Sequence, residues 1–294
     1  MEKIPDFIME QIPEGIQSKT TLVDGYEIHY LEKGSGIPVF LLHGNPTWSF
    51  IYRNIIDRLD PKKYRCIAPD LLGLGFSEKP ADPNFHTLAN HKNVMINFLN
   101  KVIDDDFIFV GQDWGGPIGL LTAMNQSYNI KGMVLLNTSI LPPRENFKPT
   151  LFHKFSHLPF ISDLAFRIFG FPQNYLSIAQ GHKDSIRGEV SKAYSYPLRK
   201  AKDNIAPLMM ARMVPDSLEH PSVKFLNQTK AFAENFKGPV SIIWGKNDPV
   251  LGRLSSAHTR LITHANFTET DGGHFIQEEY PGLIANAISE LEGS

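Results

Sequence analysis

The stretch FIFVGQDWGGPIGL, residues 107–120, runs an apolar segment into Gly111-Gln112-Asp113-Trp114-Gly115 and then into residues able to open a helix. A short apolar run ending in glycine reads as a strand buried on both faces. The small residues around position 113 permit a sharp strand-to-helix turn, which presents the central side chain, Asp113, on a strained backbone. Taken alone the pattern is weak, because an aspartate after a strand also serves as an ordinary helix N-cap. What decides between the two readings is what the rest of the chain places beside it.

Upstream, TTLVDGYEIHYLEKG reads as two strands joined at Asp24-Gly25, a hairpin signal, and IPVFLLHG follows as a continuous apolar run ending in glycine. YRCIAPD, KGMVLLNTS and GPVSIIWGKND are further short strands rich in Val and Ile, separated mostly by segments long enough for helices. Strands of this kind alternating with helices imply an α/β fold with a mostly parallel central sheet, whose functional loops lie beyond the strands' carboxyl ends. Between LLNTSILPP and GPVSIIWG no strand is evident, and Phe152, Phe155, Phe160, Phe166, Phe169 and Phe171 crowd together. This segment is expected to be an inserted helical cap, dividing the chain into core 1–139, cap 140–211 and core 212–294. Its phenylalanines read as helix core, with Phe147, Phe152 or Phe169 candidates to line an apolar pocket.

Composition narrows the partners. A formal net charge of −2, without a Lys/Arg cluster carrying interleaved aromatics, gives no nucleic-acid surface. The single Cys66 sits in a strand-like run as a buried thiol without an internal disulfide partner, as in a reducing compartment. With no signal-like N-terminus and no run of eighteen apolar residues, a cytoplasmic protein without a membrane partner is expected, monomeric or weakly homo-oligomeric. Gly73-Leu74-Gly75 lacks the third glycine and the lysine of a nucleotide loop and reads as a turn. The histidines show no metal-ligand spacing, so neither cofactor nor metal is assigned. Asp271, Glu278 and Glu279 read as solvated loop or helix-start charges.

Two further strand ends carry chemistry. GPVSIIWGKNDPV ends in Asp248, and TETDGGHFIQEE places His274 in a loop before the last helix. The order Asp113, Asp248, His274 matches the nucleophile, acid and histidine order of α/β-hydrolases. At the end of the third strand, HGNPTW, residues 43–48, puts a turn where the oxyanion loop of that fold lies, so that Asn45 can offer a backbone N–H and a side-chain amide toward Asp113.

Through HGNPTW, DLLGLGFSEKP, GQDWGG, WGKNDPV and GGHFIQEE, thus most of the core, the chain resembles the haloalkane dehalogenases. The resemblance implies a halide held by Trp114, the residue after the nucleophile, and by Asn45, the residue after His-Gly. Subgroups of that family place the acid after either the sixth or the seventh strand. Here the earlier place holds Asn137, and Asp248 occupies the later one.

The chemistry of an aspartate nucleophile agrees. With a reference pKa of ~3.9, Asp113 needs no base to activate it. Attack on an amide or ester carbonyl would give an anhydride that collapses backward, whereas attack on a saturated carbon gives an ordinary ester, which must then be hydrolysed. His274 suits that second step as general base, with Asp248 orienting the ring. The expected reaction is hydrolysis of a small apolar haloalkane by water to alcohol, halide and proton. A halide leaves without a proton and needs only N–H donors, while an epoxide leaves as an alkoxide and wants an acidic O–H. Tyr175, Tyr194 and Tyr196 keep an epoxide hydrolase as the rival; a luciferase-like or non-catalytic ligand-binding relative is a more distant one.

Overall fold

A computed structural model describes residues 3–149 and 151–291. Eight strands form one sheet in the order β1-β2-β4-β3-β5-β6-β7-β8. Their spans are β1 Gln17–Val23, β2 Tyr26–Gly34, β3 Ile37–Leu42, β4 Tyr64–Pro69, β5 Phe107–Asp113, β6 Ile130–Thr138, β7 Val240–Gly245 and β8 Asn266–Thr270. The pairings β1 with β2 and β2 with β4 are antiparallel, and every other pairing is parallel. The turn between β1 and β2 is Asp24-Gly25 with both residues at positive φ, 52° and 86°, as a two-residue hairpin requires.

The inner strands are apolar because both of their faces are covered. In β5, Ile108 and Val110 join one core cluster, while Phe107 and Phe109 join the other. β3 divides in the same way, with Val39 and Leu41 on one side and Phe40 and Leu42 on the other. Strand β8 does not appear among the apolar runs of the sequence. It is an edge strand reading NFTET, exposed over most of its length, so burial places no demand for hydrophobic residues on it.

The chain leaves β3 toward β4 on one side and returns to β5 on the other. Loops that diverge from the carboxyl ends of such neighbouring strands open a crevice, the place where ligands bind in open α/β sheets. Residues 43–48 follow β3 and the Asp113 turn ends β5, so both line that crevice. Between β6 and β7 the chain is helical, with short helices from Leu151–Ser156 to Ile205–Arg212. The helix Val223–Asn235 then packs against the helix Gly115–Ala123 of the core.

The cap phenylalanines divide into two groups. Phe166 is fully buried and packs with Phe155 and Phe171, whereas Phe160 and Phe169 are exposed to solvent. Phe169 is therefore not helix core, and the side chain of Phe152 lies outside the described residues. Glu278 also departs from the sequence expectation. It is buried against the guanidinium of Arg53 and the hydroxyl of Tyr194, because a carboxylate sealed between helix and cap must be paired.

Candidate active site

Asp113 is the last residue of β5 and has φ 49°, left-handed backbone that a non-glycine residue adopts at a cost. The turn is possible because its neighbours lack side chains. A Cβ at Gly115 would stand 1.9 Å from the Leu42 carbonyl oxygen, and one at Gly116 would stand 2.0 Å from Thr138 Oγ1. Thr138 Oγ1 donates to the Asp113 carbonyl at 2.6 Å and fixes the turn from β6.

The loop after β3 meets this carboxylate from the other side. The Asn45 backbone N–H donates to Asp113 Oδ1 at 2.8 Å, and the Trp114 backbone N–H also bonds the carboxylate. Gly44 is required for the approach, since a Cβ there would lie 2.2 Å from Asp113 Oδ1. Buried His43 braces the loop from behind: its Nε2 accepts the Leu71 N–H at 2.9 Å and its Nδ1 lies 2.9 Å from the Gly44 carbonyl. Those two bonds define one neutral tautomer, with the proton on Nδ1.

His274 and Asp248 complete the group. His274 Nε2 lies 3.7 Å from Asp113 Oδ2, and His274 Nδ1 lies 2.9 Å from Asp248 Oδ2. Asp248 accepts the backbone N–H groups of Val250 at 2.7 Å and Leu251 at 3.0 Å. Its burial would raise the carboxyl pKa, but His274 and these N–H groups hold it below the ordinary range. Burial pulls the imidazole of His274 down, yet the charge and hydrogen bond of Asp248 carry it above its usual value. Asp113 is shifted up by burial, which His274 and the two N–H donors only partly offset.

Asn45 and Trp114 flank the carboxylate. The Asn45 side chain does not turn to Asp113; its Nδ2 donates to the Pro207 carbonyl of the cap at 3.0 Å, because the first turn of the helix Ile205–Arg212 descends onto it. An amide nitrogen carries two hydrogens, so one remains for another acceptor. Trp114 is nearly buried at the start of the helix that follows the turn.

Three supporting residues escape sequence reading. Asn137 fills the alternative acid position and donates to Asp248 Oδ2 at 2.7 Å and to the Gly273 carbonyl at 3.0 Å, while its Oδ1 accepts the Gly245 N–H at 2.9 Å. Gln112 Nε2 donates to the His274 carbonyl at 3.2 Å. Gln180, from the cap, exchanges bonds with the backbone of Phe275: Phe275 N–H to Oε1 at 2.9 Å and Nε2 to Phe275 carbonyl at 3.1 Å. The His274 N–H donates to the Ala179 carbonyl at 2.7 Å. Only for Asn137 did a signal exist, since it stands at the earlier of the two acid positions that the resemblance allows.

Of the three tyrosines that favoured an epoxide, Tyr194 has its hydroxyl committed away from the Asp113 carboxylate. The Tyr194 hydroxyl donates to Glu278, and burial together with that carboxylate raises its phenol pKa. Tyr175 is about half exposed.

Comparison with known proteins follows the same lines. The α/β hydrolase fold family matches residues 37–281. Haloalkane dehalogenase 2 of Mycobacterium tuberculosis is 31% identical over 284 residues, spanning 90% of this chain and 91% of that protein. The cis-3-alkyl-4-alkyloxetan-2-one decarboxylase of Shewanella oneidensis is 29% identical over 276 residues, spanning 91% and 86%. Among solved structures, the haloalkane dehalogenase DatA of Agrobacterium tumefaciens superposes with a TM-score of 0.83 at 23% identity, covering 97% of this chain and 99% of that one. The epoxide hydrolase CorEH superposes at 0.75 with 20% identity, covering 95% and 99%. Both structures share the fold.

Proposed function

Since the chain belongs to the α/β-hydrolase fold family, and within it to the haloalkane dehalogenases, we propose that it hydrolyses small apolar haloalkanes through a covalent ester on Asp113. The observation that carries this reading is a carboxylate, held by two backbone N–H groups, facing an imidazole that is itself seated on a second carboxylate.

In the first step an Asp113 oxygen attacks the carbon bearing the halogen, the carbon–halogen bond breaks, and the halide departs with its electron pair. The indole N–H of Trp114 and the free amide hydrogen of Asn45 receive it, each charge-assisted bond being worth ~1.5–3 kcal/mol. In the second, water adds to the ester carbonyl carbon of Asp113 while His274 Nε2 takes its proton and Asp248 stabilises the imidazolium. The N–H groups of Asn45 and Trp114 steady the oxyanion, a contribution of ~10²–10³ in rate per donor. Collapse breaks the ester C–O bond, the departing alkoxide takes the proton from the His274 imidazolium and leaves as alcohol, and the Asp113 carboxyl, which now holds one oxygen from water, releases the remaining proton to solvent. Residues 140–211 act as the cap that excludes bulk water, in a cytoplasmic enzyme that is monomeric or weakly associated and uses no cofactor or metal.

The test is halide release from a panel of bromo- and iodoalkanes, with styrene oxide and a cis-3,4-dialkyl-oxetan-2-one included. Release of halide with a stoichiometric proton is expected; turnover of the epoxide or the oxetanone alone would replace this reading. His274→Phe should form the ester without hydrolysing it, leaving Asp113 heavier by one alkyl group in the intact mass. An unmodified variant after prolonged exposure would rule out the two-step scheme.

A further inference from the structure

Beyond the catalytic group, the outer face of the cap stands apart from the rest of the surface. Of the fifteen exposed large hydrophobic side chains among the described residues, eight lie between Leu158 and Ile178. Isolated apolar residues are normal on a surface, but a concentrated set marks an interaction site. Ile161, Leu164 and Ile168, at 56, 50 and 62% exposure, recur at spacings of three and four on one face of the helical segment Ile161–Ile168. The opposite face is already satisfied, since Phe166 is fully buried against Phe155 and Phe171. The exposed residues are therefore a second apolar face and not part of the cap's own core.

Phe160 opens this segment at 88% exposure with φ +62°. Left-handed backbone at a bulky aromatic residue is a strained state, and here no burial offsets it. The ring stands out in solvent beside the three aliphatic residues.

Charge indicates what covers the face. Residues 140–211 hold ten of the chain's 29 Lys and Arg but only five of its 31 Asp and Glu, so the cap is basic on a chain that is acidic overall. Near the stripe, Asp163 is shared by Arg167 at 3.9 Å and Arg212 at 3.3 Å, and the turn Ala201–Asp203, carrying Lys202, packs against Leu164–Ile168. A second copy of the chain would bring like charges together across a two-fold axis. A negatively charged surface with an apolar interior meets both features.

We infer that this face, centred on Phe160, Ile161, Leu164 and Ile168, docks the protein on an anionic phospholipid surface. Basic side chains lie against the headgroups, and the apolar stripe enters the boundary beneath them. No described helix is long and apolar enough to cross a membrane, so the association is peripheral. It departs from the sequence expectation of no membrane partner because that expectation rested on continuous apolar runs, whereas this face is assembled by helical periodicity.

The experiment is flotation of the full chain with vesicles of phosphatidylcholine alone and of phosphatidylcholine with phosphatidylglycerol, at low and high salt, beside light scattering without lipid. The protein should float with the anionic vesicles and lose binding as salt rises. Phe160→Asp with Ile168→Asp should lower the bound fraction at least about tenfold, with an unchanged melting temperature, since both side chains are exposed. Lys202→Glu should weaken binding without altering the fold. Absence of flotation, equal and salt-independent binding to neutral vesicles, or a lipid-free dimer dissociated by the Asp pair would each overturn the inference.

Discussion

Protonation of His274 governs how the site responds to pH. A general base must be neutral before it accepts a proton, and Asp248 holds the imidazole pKa above its ordinary value. Ester hydrolysis should therefore fall as pH drops through that raised pKa, with the acid limb of kcat above about 6.5, the value for free imidazole. In Asp248→Asn the charge is gone while burial remains, so the limb should move below about 6.5. Single-turnover pH profiles of the two proteins check this, and a wild-type limb at or below that value contradicts it. Asn137 makes a separate case. Its replacement by Ala orphans the Gly245 N–H and the Gly273 carbonyl, each worth ~1–3 kcal/mol when buried without a partner. A denaturant titration should show that loss together with slower ester hydrolysis.

At the scale of elements, the site is the meeting of two strand ends held apart by nothing larger than hydrogen. Gly44→Ala places a Cβ 2.2 Å from Asp113 Oδ1, so loop and carboxylate must separate. A displacement near 1 Å costs ~10²-fold in rate, and burst-phase ester formation should fall by that order. The inner strands were legible in the sequence because burial on both faces writes them as unbroken apolar runs. Asp113, Asp248 and His274 were legible because each follows such a run or stands in a loop marked by glycines. Strand β8 was not, since an exposed edge strand needs no apolar residues. The destination of the Asn45 amide depends on a cap carbonyl 162 positions away in sequence, and the burial of Glu278 depends on Arg53, 225 positions away. Local composition carries no trace of either contact. The same limit explains the cap phenylalanines, whose crowding in sequence does not distinguish buried Phe166 from exposed Phe160.

Across the whole molecule, cap and core are joined by polar contacts as well as packing. Arg53 of the core, Glu278 beside the last helix and Tyr194 of the cap form one buried network. Arg53→Met should destabilise the protein by ~3–5 kcal/mol, because it strands a buried carboxylate. Thermal melts of the two proteins test this, and an unchanged melting temperature in the variant would contradict it. The second junction is the pair Ala179 and Gln180, which bonds the backbone of His274 and Phe275. Gln180→Ala should speed hydrogen exchange at the Phe275 amide. Because of this junction the cap cannot rise without shifting the loop that carries the imidazole. Any displacement of residues 179–180 would break the bonds that seat His274 and Phe275, so the proton acceptor keeps its place only while that cap segment keeps its own.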